Sequence, residues 1–376
     1  MRAANLPTLP RALHPGAWWV WAIGLAAAAS RTANPAPLLL IVAVTALVVA
    51  GRRSDAPWSA SYGAFLRLAL LVIVIRVVLQ ALLSADSQGP TVLVTLPQVP
   101  LPSGTGIQLG GPISLEAVLA ALYQGLQLAT ILVCVGAANA LGSARRLLRS
   151  VPGALYEVGV SCVIALTFAP QLVTDARRVR EAHRLRGRRR RGLRAWARLA
   201  MPVVEGALER SVELAAAMDS RGYGRTTDVA RVSRRLTAGL VFGGLLGVCV
   251  GMYGLLDGTA SHWLGLPTLA GGAALAAAGI GLGGRRTGRS RYRPDPWALP
   301  EWLVAGCGVL AALAMFVQMR HDPASLVLAS VTELPPVPVI AVVGILIGAL
   351  PVVLAPPPPA PADASTSEPA RIGVAA

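Results

Sequence analysis

Apolar stretches of membrane length recur along this chain, separated by short polar or arginine-bearing segments. Ala17–Ser30, Pro37–Ala50, Ser61–Ser84, Ser114–Leu141, Leu236–Leu256, Trp263–Leu282, Pro300–Met319 and Pro338–Leu354 each read as a membrane helix. The first two are short and lie close together, which predicts a helical hairpin rather than a cleaved leader. Gly243, Gly247 and Gly251 recur every fourth residue, a stripe suited to close helix contact in lipid. Ala85–Ile113 is rich in Pro and Gly, carries only Asp86 as a charge, and reads as an external loop.

One stretch breaks the pattern. Glu181–Gly224 holds two short segments that end in Arg-Gly, at Arg186-Gly187 and Arg221-Gly222. A basic run and a long amphipathic helix lie between them. Val204, Leu208, Val212, Ala215 and Met218 recur at helical spacing and predict one apolar face, while Glu205, Glu209 and Glu213 share another. A glycine just past a last turn is the usual left-handed cap. Each arginine therefore sits at a helix end, where the helix dipole favours a cation. Either Arg-Gly pair alone also fits an ordinary capped helix with a snorkelling arginine; two of them, flanking one helix, suggest two tips made to fit two sockets.

These residues resemble the transmembrane T component (EcfT/CbiQ-like) of energy-coupling factor (ECF) transporters, the vitamin and trace-metal importers of prokaryotes. That family carries two Ala-Arg-Gly-like signatures on cytosolic coupling helices. The first match is Ala182, Leu185, Arg186 and Gly187; the second is Ser220, Arg221 and Gly222. Ala165–Leu172 (ALTFAPQL) is similar to the lead-in to the first signature, and LHPGAWW and SRTANPAPLLL near the N-terminus are also family-like. Leu185 and Ser220 stand where the family usually has Ala, and His183 where it has Gln. The resemblance implies a non-catalytic subunit without cofactor. Its implied partners are two ATP-binding ATPase subunits and a separate substrate-binding membrane subunit. Arg186 and Arg221 are implied to dock one on each ATPase.

Composition points the same way. Of 376 residues, 54% are hydrophobic and 14% charged, and mean hydropathy is +0.60, so the chain needs a bilayer to cover its apolar surface. Every basic residue is Arg, and the formal net charge is +16. The arginines cluster between apolar spans, which is positive-inside patterning rather than a nucleic-acid footprint. Residues 175–235 hold 17 Arg against 7 acids. Exporting that stretch would violate the bias, so the apolar segment Tyr156–Val173 before it is expected at the cytosolic face, as an interfacial or re-entrant helix. Arg188–Arg191 reads as a solvated loop near lipid headgroups, and no nucleic-acid partner is expected.

Within the spans, Arg76 is a buried-cation candidate. It either pairs with Glu116 across the outer side of the membrane, or Glu116 is solvated at the loop end. Cys134, Cys162, Cys249 and Cys307 are isolated in apolar segments, and the four histidines are scattered, so no metal site is expected. The chain has no phosphate-binding loop, nucleophile elbow or metal-ligand spacing.

The expected architecture is an all-α polytopic membrane protein with about eight transmembrane helices and a helical coupling domain at the cytosolic face. Residues 1–150 form N-terminal transmembrane helices, 151–235 the coupling domain, 236–355 C-terminal transmembrane helices, and 356–376 a Pro/Ala-rich tail. Both termini are expected in the cytoplasm, at the plasma membrane of a prokaryote. A stand-alone transporter or channel is the alternative. It would call for polar or helix-breaking positions near the midplane of several spans, whereas this chain gathers its polar residues in the cytosolic stretch.

Overall fold

The computed structural model describes residues 13–53, 61–83, 91–99, 109–149, 156–185, 193–223, 231–256, 262–286, 297–326 and 336–357. These divide between two compact units, Met1–Leu147 with Asp295–Ala376, and Leu148–Pro294. Among the described residues, the regular structure is helical apart from one short hairpin. Among the described residues, seven helices are long and apolar enough to cross a membrane, and two further apolar stretches, Pro15–Ala29 and Val339–Leu354, are shorter. The protein is thus an all-α polytopic membrane protein.

In the first unit, α1 (Pro15–Ala29) and α2 (Pro35–Arg52) open on the same local chemistry. His14 is extended, and its Nδ1 accepts the Gly16 N–H at 3.0 Å. Asn34 is extended, and its Oδ1 accepts the Ala36 N–H at 3.0 Å. Each cap is followed by a proline at the first helical position, where a missing N–H costs nothing. The HPG and NPAP motifs are therefore two helix starts. The next helices are α3 (Ser61–Leu83) and α4 (Leu115–Leu141), followed by the short α5 (Ala144–Arg149).

Between α3 and α4 the expected loop contains structure. Strands β1 (Val92–Val99) and β2 (Leu109–Ser114) pair antiparallel, Val92 opposite Ser114 and Val99 opposite Leu109, with two irregularities in the ladder. Val92, Val94, Thr95 and Val99 are β-branched, which favours an extended chain. The prolines and glycines that suggested a loop sit inside the strands, at Pro97, Gly110, Gly111 and Pro112. The hairpin runs directly into α4, with Leu115 N–H donating to Thr91 O at 2.9 Å and Ser114 capping the helix.

The C-terminal helices α10 (Leu299–His321), α11 (Val339–Ile347) and α12 (Pro351–Leu354) belong to this same unit. Helix α10 packs on α1 and α11, and α11 on α2. The α1–α10 crossing is tight: a Cβ at Gly24 would lie 2.2 Å from the Gly308 carbonyl oxygen. Leu25, Leu38, Ile41, Val304, Met315 and Ile345 are fully buried around it. Lipid is as apolar as these side chains, so close packing and hydrogen bonds, rather than exclusion of water, hold the helices together.

The hydrogen bonds are specific. Trp21 Nε1 donates to Gly348 O at 2.9 Å, and Arg52 Nε donates to Val352 O at 2.9 Å. Asn34 Nδ2 donates to Ser325 O and Pro336 O, each at 3.1 Å, while its Oδ1 caps α2. His14 N–H faces Glu301 Oε1 at 3.4 Å, and Glu301 Oε2 accepts from Ala298 N–H at 3.1 Å. The fully buried Asn34 thus has all three of its polar hydrogen-bonding functions in use.

The second unit contains α6 (Tyr156–Leu185), α7 (Leu193–Ser220), α8 (Arg231–Leu256) and α9 (Leu266–Arg286). Helices α8 and α9 form a hairpin with glycines at its seam. A Cβ at Gly244 would sit 2.4 Å from Ala276 N, and one at Gly251 2.4 Å from Leu269 N. The expected stripe is partly shifted: Gly247 and Gly251 face α9 closely, while Gly243 meets only the Leu275 side chain, at 3.7 Å.

Candidate functional site

Two long helices, α6 and α7, carry the sequence signatures. Helix α6 runs unbroken through Pro170, well past Val173, where its apolar segment ends. Its Val158–Leu185 portion is one of the seven helices that are membrane-length by composition. Arg177, Arg178, Arg180 and Arg184 crowd its last turns. Ala182 and Leu185 lie at that end, both exposed, Leu185 to 90%. Arg186 and Gly187, the first signature's central pair, lie outside the described residues.

The second signature is described in full. Gly222 takes φ 75°, in the left-handed region. Its N–H donates to Asp219 O at 2.8 Å, and the Tyr223 N–H donates to Met218 O at 3.0 Å. These two bonds are the paired closure of a Schellman cap, with Gly222 at the residue after the cap position. Arg221 is the capping residue itself, and its side chain is exposed. Ser220 ends the helix, its hydroxyl donating to Ala217 O at 2.9 Å. The Arg-Gly order follows from this geometry. Glycine absorbs the positive φ that other residues resist, and the arginine before it is held at the helix tip, where the dipole favours its charge.

The two arms touch each other through a small contact. Ile164 and Phe168 on α6, and Ala207, Ser211, Leu214 and Met218 on α7, line an open apolar hollow of about 290 Å³. Val204, Leu208 and Val212 do not belong to this contact. They are 61%, 66% and 63% exposed and, with Met201, form a second apolar stripe on α7. Helical spacing correctly identifies an apolar face, but α7 has two adjacent ones, and only Ala215 and Met218 of the expected set line the hollow.

A polar contact also crosses between the arms, and sequence reasoning missed it. Arg210 Nη1 donates to Asp175 Oδ2 at 3.0 Å, with Arg178 Nη1 3.9 Å from the other carboxylate oxygen. The available signal was local charge of the minority sign: an acid just ahead of the arginines of α6, and a base among the glutamates of α7.

In the first unit, Arg76 and Glu116 each have a partner other than the one considered from sequence. The Arg76 guanidinium donates to the Gln124 side-chain carbonyl, and the Glu116 carboxylate accepts from the Thr91 hydroxyl. Gln124 is two turns further along α4 than Glu116, closer to the level of Arg76, and Thr91 stands at the foot of the hairpin beside Glu116. Among the described residues, no group of three or more His, Cys, Asp or Glu side chains converges as a metal site.

A family model described as CbiQ, cobalt transport protein, matches residues 8–229. The matched part takes in both arms and stops just before α8. No curated protein and no solved structure matches the chain.

Proposed function

The chain belongs to the CbiQ cobalt transport protein family, and from that premise we propose that it is the energy-relaying membrane subunit of an ATP-driven importer. In this reading it is not itself an enzyme. Two separate ATPase subunits consume ATP, and each grips one arm. Arg186 and Arg221 enter acidic or carbonyl-lined grooves on those subunits, while Ala182, Leu185 and Gly187 on one arm, and Ser220 and Gly222 on the other, shape the surrounding contact. Closure of the ATPases on ATP moves the arm ends. That motion passes to the membrane helices and tips a separate substrate-binding membrane subunit between orientations. The family's description points to cobalt as cargo, and in this reading the separate subunit holds it.

One observation carries the reading: a long exposed helix ends in a Schellman cap that holds Arg221 at its tip. It packs against a second long helix that is described as far as Leu185, the residue before Arg186. A cation displayed this way offers a partner a charge-assisted hydrogen bond worth about 1.5–3 kcal/mol. Charge patterning supports a cytosolic position for the arms and both termini, in a prokaryotic plasma membrane.

The test is affinity purification of the tagged chain from its native membranes, together with cobalt uptake. Two nucleotide-binding subunits should co-purify. The double variant Arg186→Ala, Arg221→Ala should reach the membrane normally but lose those subunits or lose uptake. Uptake at the unsubstituted level in the double variant overturns the assignment.

A further inference from the structure

The Asp175–Arg210 contact joins the two arms, and its position along each is the same. Asp175 is eleven residues before Arg186, and Arg210 is eleven residues before Arg221. Each also stands ten residues from the last described residue of α6, Leu185, or the last helical residue of α7, Ser220, about 15 Å at the α-helical rise. The contact is therefore equally spaced along the sequence from the two signature arginines.

Its charges are placed against their surroundings. The C-terminal part of α6 is basic on balance, with Arg177, Arg178, Arg180 and Arg184 against Glu181, and Asp175 is the acid that opens it. The middle of α7 is acidic, with Glu205, Glu209 and Glu213, and Arg210 is the base among them. Sliding α7 by one turn in one direction would set Asp175 beside Glu213, and in the other beside Gly206 and Ala207; the matching slides of α6 would set Arg210 beside Arg178, or beside Gln171 and Leu172. Opposite charges meet in one register; one neighbouring register brings like charges together and the other leaves both charges without a partner. The apolar part of the crossing is a shallow, open hollow lined largely by small or flexible side chains, which gives little resistance to rotation.

We propose that Asp175 and Arg210 form the pivot of the two arms, a positioning pair that fixes where they cross so that movement at one tip is matched at the other. This rests on the relay reading above. The pair is partly exposed, its side chains 25% and 38% accessible, so it contributes little to folding. What it sets is the balance between crossing registers.

Two measurements test this, both in an Arg178→Gln background that removes the second cation near Asp175. The first uses the full chain alone in lipid nanodiscs, with its four native cysteines replaced by alanine and nitroxide labels at His183→Cys and Tyr223→Cys. The label-to-label distance distribution should be narrow with the pair intact. Asp175→Asn or Arg210→Gln should broaden it, with the paired register losing about two- to fivefold in population. The exchanged pair, Asp175→Arg with Arg210→Asp, should narrow it again. Distributions unchanged by both single variants, or an exchanged pair as broad as the singles, overturn the proposal.

The second uses the complex with its ATPase subunits and reads cargo moved per ATP hydrolysed. The single variants should keep the ATPases bound and hydrolysing but lower that ratio, and the exchanged pair should restore it. A ratio unmoved in either single variant overturns the pivot while leaving the relay intact. Absence of ATPase subunits from the unsubstituted complex overturns the relay reading instead, and with it the mechanical role assigned to the pair.

Discussion

Gly24 and Gly308 meet backbone to backbone where α1 crosses α10: a methyl group on Gly24 would stand 2.2 Å from the Gly308 carbonyl oxygen, and one on Gly308 would stand 2.4 Å from Trp21 Cα. Neither obstacle is the movable end of a side chain. Gly308→Ala should therefore push the two helices apart and cost about 1–3 kcal/mol. Gly306, two residues away on the same helix, has open space where a Cβ would go. Gly306→Ala should be neutral or slightly stabilising, since alanine is the better helix former. Thermal unfolding of both variants in detergent, compared side by side, checks the prediction. Equal stability would mean that the close crossing does not hold the unit together.

Asn34 gives a second test, because its side chain combines two roles. Asn34→Ala removes the α2 cap and strands the Ser325 and Pro336 carbonyl oxygens, for an expected loss of about 2–3 kcal/mol. Asn34→Asp keeps the cap acceptor but turns a buried carboxylate toward two carbonyl oxygens. It should be at least as damaging as alanine at neutral pH. If aspartate is tolerated, the cap dominates and the link to the α10–α11 connection is minor. Chemical denaturation followed by tryptophan fluorescence separates the cases.

Gly222→Ala should fray the end of α7 without unfolding the chain. A non-glycine residue in the left-handed region costs about 1–2 kcal/mol, enough to raise amide exchange at Gly222 and Tyr223 about tenfold or more. Hydrogen exchange over residues 214–223 reads this directly. The same variant should weaken ATPase binding in the relay reading, because Arg221 would no longer be held at a fixed tip.

Topology is checked at Leu185, the most exposed of the large apolar residues described on the arms. Leu185→Cys, in a background without native cysteines, should react with a membrane-impermeant maleimide in inside-out vesicles and stay protected in intact cells. Reaction from outside would place the arginine-rich arms beyond the membrane and contradict the charge patterning.

What the sequence carries, and what it does not, follows from how membrane helices are made. Hydropathy located the apolar segments because the bilayer imposes a length on them, and six of the eight expected spans overlap helices that are membrane-length in the structure. Local chemistry was equally legible. His14-Pro15 and Asn34-Pro35 start helices, and Arg221-Gly222 ends one, because each motif acts within a few residues of itself. Partnership between helices was not legible. A helix apolar all round, such as α1, gives no sign of which face meets α10 some 280 residues later. The β1–β2 hairpin was hidden because its Pro and Gly residues sit within the strands rather than only between them. In the candidate site, Arg221 and its cap could be anticipated, whereas the Asp175–Arg210 contact could not, since nothing in a one-dimensional reading brings residues on two separate helices to 3.0 Å.

The bond from Trp21 to Gly348 spans 327 positions of the chain. A ribosome adding about 5–20 residues per second needs roughly 20–60 s to cover that distance. Until then the Trp21 indole lacks its Gly348 acceptor, and until α10 is made Gly24 lacks Gly308. Helices α1 and α2 can pack on α4 early, but the face they turn to α10, α11 and α12 is completed only when the end of the chain is made.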